Sequence, residues 1–342
     1  MKFLVLLLFY FPCFIVQANS DNRLKIALIG KTKNDSFYQQ SYQGCQAFAR
    51  KHPELECIYD GPLDYQDARS QAMVVEDLIH QGVDGLLISV TDSNHLAQAV
   101  LKRARLANIP VFTFDSDLLP QHQFYRLAYV GTNNRDFGIA LGNYAKQLIA
   151  AIPGPKEKPF QVCIHSGHQT TPNLNERIKG VRLALSQGAS AERLAQGNTW
   201  VELDRCPLYS LGKRELALRQ LEFMLQNKEK VINIAVAGFA QFSPDYLSRI
   251  APYKEKISAK EAIIISADTE EIQLKALKNR LSTINIGQRP YEMGRLGAEL
   301  LYQYLVYGKK PCTTWIFITV LRKIMTAARA KKSKSDCAAN MI

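Results

Sequence analysis

The stretch that most constrains the fold is residues 82–118, GVDGLLISVTDSNHLAQAVLKRARLANIPVFTFDSDL. An apolar run (Leu86, Leu87, Ile88) gives way to polar Thr91-Asp92-Ser93, then to a helix-period series (Leu96, Ala97, Val100, Leu101, Ala104), then to a second apolar run from Val111 to Phe114. The crossover is too long for a hairpin, so the spacing predicts strand, helix, strand with the two strands parallel. In open parallel sheets ligands bind beyond the carboxyl ends of the strands, and here those ends carry Thr91-Asp92-Ser93 and Asp115-Ser116-Asp117.

The same alternation fills the chain on both sides. Before it come a strand at Leu24 to Ile29, a helix carrying Tyr42, Cys45 and Ala49 that Pro53 stops, a strand at Leu55 to Tyr59, and a helix with Ala72, Val75, Leu78 and Ile79 on one face. After it, strands ending at Gly131 and His165 and beginning at Trp200, Val231, Ala262 and Leu281 alternate with helical stretches, the last from Tyr291 to Tyr307. The predicted fold class is α/β, two doubly wound parallel-sheet lobes with a cleft between them. A chain of 342 residues with 47% apolar residues is long enough for two such cores.

The net charge of +12 is concentrated at one end: from Lys309 onward there are eight Lys or Arg against the single Asp336. The body is therefore only mildly basic and gives no nucleic-acid signal. Residues 321–342 read as a basic tail, disordered by composition. At the other end Lys2, an apolar run from Phe3 to Val16 and Val16-Gln17-Ala18 read as a signal peptide over residues 1–18, cut before Asn19, which implies export to the periplasm. A retained anchor, or lipid attachment at Cys13, is the alternative, and Phe11-Pro12 matches the second poorly.

In an oxidising compartment the six remaining cysteines are candidates for bridges. Cys45 falls on the first helix and Cys57 on the second strand, neighbours in any alternating fold, which suggests a bridge. Cys163 and Cys206, at strands of the second half, form another or stay as buried thiols. The six histidines have no metal-binding spacing, His165 and His168 being the one close pair, and no Gly-rich phosphate loop is present. An enzyme, a metal and a cofactor are not expected.

Taken together, Asn34-Asp35-Ser36-Phe37-Tyr38, Thr91-Asp92-Ser93, Asn108-Ile109-Pro110-Val111 with Phe114-Asp115-Ser116-Asp117, Val130 to Asn134, Asn175-Glu176-Arg177, Asp268 and Gln288-Arg289-Pro290 resemble the type I periplasmic binding proteins of the ribose and galactose class, relatives of the lac repressor ligand domain. The resemblance runs from about Leu24 to Pro311. It implies three hinge crossings, with lobe one made of residues 23–131 plus 289–312 and lobe two of 132–288 plus 313–320. Such lobes close over a ligand and exclude water.

A sugar needs bidentate polar groups and aromatic walls. Phe37 and Tyr38 are placed to sandwich a sugar ring, or else to pack in the core. Asn34 is a ligand contact or the helix cap, with Asp35 the rival cap. Asp115, with Ser116 beside it, accepts two hydroxyls, and Asp115→Ala is expected to lose binding with nearly normal unfolding. The resemblance adds Asn134, Arg177, Asp268 and Gln288. It also exposes two departures: Ala237-Gly238-Phe239-Ala240-Gln241 stands where relatives carry an Asn-Asp pair, and the chain ends in a basic, alanine-rich segment. The implied function is a monomer that captures a sugar-like small molecule and delivers it to an ATP-binding-cassette permease in the membrane. The alternative is a sensory partner of the periplasmic domain of a sensor kinase or chemoreceptor.

Overall fold

The computed structural model describes residues 23–65, 67–154, 159–227, 230–318 and 324–325. The expected signal peptide, Cys337 and most of the basic tail lie outside them. The first lobe is built from β1 (Leu24–Ile29), α1 (Ser36–Ala49), β2 (Leu55–Asp60), α2 (Ala68–His80), β3 (Gly85–Ile88), the helical run α3 (Ser93–Leu96) and α4 (Lys102–Leu106) with a π turn between them, β4 (Val111–Phe114) and β5 (Ala128–Gly131). The second holds α5 (Asn134–Ala151), β6 (Phe160–Ser166), α6 (Pro172–Leu185), β7 (Trp200–Glu202), β8 (Leu208–Tyr209), α7 (Arg214–Asn227), β9 (Ile232–Ala235), α8 (Tyr246–Ile250), α9 (Lys254–Ser258), β10 (Ile263–Ala267), α10 (Glu271–Lys278) and β11 (Ile284–Ile286). Then α11 (Pro290–Tyr307) returns to the first lobe, followed by β12 (Trp315–Phe317) and β13 (Ile324–Met325).

The first sheet runs β12-β5-β4-β3-β1-β2 and every pairing in it is parallel. Its central strands are near-continuous apolar runs, as expected of strands covered by helices on both faces; Ile26 through Ile29 and Leu86 through Ile88 have no exposure. The second sheet runs β13-β11-β10-β9-β6-β7, with β8 also on β6, and is parallel except where β13 meets β11. The expected architecture of two doubly wound α/β lobes is the one observed.

The last crossing differs from expectation. The resemblance places residues 313–320 in the second lobe, but Trp315–Phe317 pairs in parallel with β5 of the first sheet. The second sheet is reached only at Ile324–Met325, inside the segment read as a disordered tail. Alternating apolar residues specify a strand and not the sheet edge it joins; the ladder to β5 decides that.

In each lobe one helix pair lies backbone to backbone. A Cβ on Gly138 would sit 2.0 Å from the Arg177 carbonyl and one on Gly180 2.1 Å from that of Arg135, so α5 and α6 touch only because both residues lack a side chain. Gly44 and Gly294 do the same for α1 and α11. These contacts position Arg177 and Tyr38, the two helix side chains at the centre of the cleft. Two disulfides add covalent ties, Cys45–Cys57 with Cα atoms 6.1 Å apart and Cys163–Cys206 at 5.2 Å, while Cys312 is free and exposed.

Candidate functional site

Between the lobes, at the carboxyl ends of both sheets, lies a small cavity of about 30 Å³ that the surrounding side chains nearly fill. Lobe one contributes Lys31, Asp35, Phe37, Tyr38, Tyr65 and Asp115; lobe two contributes Asn173, Leu174, Arg177, Phe239, Phe242 and Asp268; Gln288 comes from the crossing between β11 and α11. The lobes meet around it. Lys31 Nζ donates to Asn173 Oδ1 across the cleft (3.0 Å), Gln40 donates to both oxygens of Glu270 (3.0 and 2.9 Å), and Arg214 donates to the Asn34 carbonyl (3.3 Å).

Asp115 is the hub. It follows β4 in the left-handed region at φ 57°, and Asp268 follows β10 at φ 73°, so the two sheets present a carboxylate at the same kind of strained position. Asparagine-like side chains tolerate that backbone better than most. Asp115 Oδ2 accepts from Tyr38 Oη (3.0 Å) and Ser89 Oγ (2.9 Å) and lies 3.3 Å from Lys31 Nζ; Oδ1 accepts from Asn173 Nδ2 (3.3 Å) and lies 3.8 Å from Arg177 Nη2. Burial by itself would raise this carboxyl, but Lys31, Arg177, Ser89 and Tyr38 together hold it below the ordinary carboxylate range. Burial lowers the Lys31 ammonium in turn, against the pull of Asp115. Both members of the pair are almost fully buried.

Arg177 is 2% exposed and uses its whole fork. Nε donates to Asn134 Oδ1 (2.8 Å), Nη1 to the Val236 carbonyl (3.0 Å) and Nη2 to Gln288 Oε1 (2.8 Å), with the guanidinium 4.6 Å from the centre of the Phe137 ring. Gln288 accepts also from Thr132 Oγ1 (2.9 Å) and donates to Asp268 Oδ1 (2.7 Å), so a single amide ties both described hinge crossings to the site.

Two carboxylates are less well matched. Asp35 caps α1 by accepting the Phe37 N–H on Oδ1 (2.8 Å), while its buried Oδ2 has no hydrogen-bond partner and lies 3.7 Å from Arg214 Nη2. Burial pushes Asp35 up to about 6, against the Phe37 N–H and Arg214. Burial likewise pushes Asp268 up to about 6, against Arg177 and Gln288.

The predicted residues fall into three groups. Phe37, Tyr38, Asp115, Arg177, Asp268 and Gln288 come together on the cavity. Asn134 stands behind them, holding Arg177 and donating to the Asp115 carbonyl (3.2 Å). Asn34 and Ser116 are not brought in: Asn34 is exposed with its amide on the Leu63 carbonyl, and Ser116 is fully buried inside lobe one. The reason is local. Asp35 takes the cap and turns inward, which points its neighbour outward, and the tight turn at Asp115, closed by the Ser116 N–H on the Phe114 carbonyl, sends successive side chains to opposite sides.

Lys31, Tyr65 and Asn173 escaped sequence reasoning. Lys31 and Tyr65 lie just past β1 and β2, so the carboxyl-end rule that selected Asp115 would have selected them too. Asn173 lies in the first turn of α6, which begins at Pro172, before the expected Asn175. Gln241, the one polar side chain in the stretch that stands in place of the Asn-Asp pair, is buried beneath the site among Gln273, Asn285 and Ser282, and Phe239 takes the wall instead, edge-on to Tyr65 at 4.9 Å. His165 is buried against Asn233 and lowered to about 4 by that burial, so it is neutral; His168 is half-buried. Among the described residues no group of three or more His, Cys, Asp or Glu is placed to hold a metal.

Comparison with known proteins agrees with the fold. The model of the periplasmic binding protein domain matches residues 26–310. The ribose import binding protein of Bacillus subtilis is 26% identical over 301 residues, 87% of this chain and 88% of that protein. A D-ribose/D-allose-binding protein of Pseudomonas aeruginosa is 30% identical over 199 residues, 56% of this chain but only 60% of its own length. Among solved structures, the solute-binding protein of an ABC transporter from Agrobacterium vitis, bound with alpha-D-tagatopyranose, superposes with a TM-score of 0.75 at 18% identity, covering 92% of this chain and 98% of that one. One from Burkholderia graminis, in complex with D-arabinose, gives 0.70 at 22% identity over 90% and 97%.

Proposed function

Because the chain belongs to the periplasmic binding protein family, a family of binding proteins and not of enzymes, we propose that it captures a small polyhydroxylated molecule of the sugar class between its lobes and hands it to a membrane permease of the ATP-binding-cassette type. The observation that carries this reading is the interlobe site centred on Asp115 and Arg177, with ring walls from Phe37, Tyr65, Phe239 and Phe242. A sugar offers hydroxyl edges to the first two and C–H faces to the rings. Lys31, Asn173 and Gln288 draw donors and acceptors from both lobes and the hinge, so the ligand completes its contacts only when the lobes meet. It binds the closed form better and shifts the population toward it.

Import is favoured over a purely sensory role by the relatives, one of which carries import in its name. The reading places the mature protein in the periplasm, where the two disulfides are stable. The test is a thermal-shift screen of the mature protein against pentoses, hexoses, their amino derivatives and polyols, followed by calorimetry. A ligand at a hundred times its Kd adds about 2.7 kcal/mol to stability, a shift of several degrees. If no member of the panel moves the midpoint, the sugar-class reading is wrong.

A further inference from the structure

We infer that the ligand carries an ammonium group, as an amino sugar or amino polyol does, and that Asp35 and Asp268 receive it. This rests on the reading of the cleft as the site of a small polyhydroxylated molecule, and adds the charge that molecule must bring.

The cavity lining holds two cations, Lys31 and Arg177, against three carboxylates, Asp35, Asp115 and Asp268. Asp115 and Lys31 match each other at 3.3 Å. Arg177 directs its N–H groups to the neutral oxygens of Asn134, Val236 and Gln288 and lies closest, among the carboxylates, to Asp115. At the opposite end Asp35 has only the half-exposed Arg214, at 3.7 Å, and Asp268 has no ion pair among the described residues. Asp268 has one oxygen on the Gln288 amide, a neutral donor. Asp35 spends Oδ1 on the cap of α1, and its Oδ2 is buried without a hydrogen-bond partner in a residue only 1% exposed.

A buried carboxylate oxygen with no donor costs more than a hydrogen bond returns, so it marks a place where a donor is to be supplied. Arg214 does not supply it: the guanidinium stops at 3.7 Å, with its side chain 38% exposed at the mouth. A hydroxyl would satisfy one lone pair and leave the charge. An ammonium brings three donors and cancels the charge, forming the stronger charge-assisted bonds. The aromatic walls suit it equally, since ring faces attract cations. The upward displacement of both carboxyls has the same origin and would be reversed by a cation placed beside them.

The experiment is calorimetry at pH 7 with D-glucosamine, D-galactosamine and 2-amino-2-deoxypentoses, each beside its parent sugar and its N-acetyl derivative. At least one amino sugar is expected to bind about tenfold or more tightly than its parent, with N-acetylation removing the advantage. In Asp35→Asn, which keeps the helix cap, and in Asp268→Asn, the ratio of amino to parent affinity should fall to about twofold or less. Parent sugars binding as tightly as their amino counterparts, or a preference that survives in both variants, would overturn the ammonium inference and leave the sugar-class reading intact. Failure of every sugar, amino or neutral, would overturn both.

Discussion

At the residue scale, the Asp115–Lys31 pair changes what a mutation at Asp115 should do. Considered as a ligand contact alone, Asp115→Ala would leave stability untouched. In the fold it also neutralises an ammonium that is 2% exposed, and removing one member of a buried pair costs about 3 to 5 kcal/mol. Asp115→Ala is therefore expected to lose both ligand binding and that much stability in urea unfolding; a midpoint within error of the parent would show that Lys31 finds another partner. Asp268 behaves in the opposite sense. Its folded value of about 6 is above the ordinary 3.8, so its contribution to stability is fully present below about pH 4 and is lost as pH rises through 6. Replacing it by Asn removes that loss. Asp268→Asn should match the parent near pH 4 and exceed it by about 2 to 3 kcal/mol at pH 7 in the ligand-free protein, while binding weakens. Melting curves from pH 4 to 7.5 check the sign: a gap that does not widen with pH would mean the carboxylate is not desolvated. Lost affinity together with gained stability is the pattern of a group kept for binding.

At the element scale, the cleft depends on how closely two helix pairs approach. Arg177 reaches Gln288 and Asn134 because α6 lies against α5 with glycine at both crossing points. Gly180→Ala would drive a methyl into the Arg135 carbonyl. It should destabilise by about 1 to 3 kcal/mol and weaken ligand binding through Arg177, although no ligand contact is altered; calorimetry on a variant that still folds would register unchanged affinity if the pair can slide apart without moving Arg177. The disulfide between Cys163 and Cys206 joins residues 43 apart in sequence. Its removal by a double Cys→Ala substitution should cost about 2 to 4 kcal/mol, seen as a lower urea midpoint; an unchanged midpoint would show that the bridge adds no stability.

At the scale of the whole molecule, the described contacts across the cleft are of two kinds: buried ones, Lys31 and Asp115 with Asn173 and Tyr65 with Phe239, and rim ones, Gln40 with Glu270 and Arg214 with Asn34. The rim contacts are worth little in water, and a ligand held between the lobes adds contacts that the closed form alone offers. Small-angle scattering should show a smaller radius of gyration at saturating ligand than without it. Equal radii in the two states would mean that the lobes close unaided and that the ligand enters another way.

Periodicity alone determined the alternating α/β order, the parallel sheets and the two lobes, because strand and helix periods are local properties of the chain. The carboxyl-end rule located Asp115, and family resemblance added Arg177, Asp268 and Gln288. Tertiary structure decided what those residues are free to do. Lys31 looked like a loop lysine until the cleft buried it against Asp115, and Asn34 looked like a contact until Asp35 took the cap. Trp315–Phe317 could have extended either sheet until the ladder to β5 formed. In each case the deciding energy comes from partners distant in sequence, a buried countercharge or an unpaired strand edge, which no local pattern encodes.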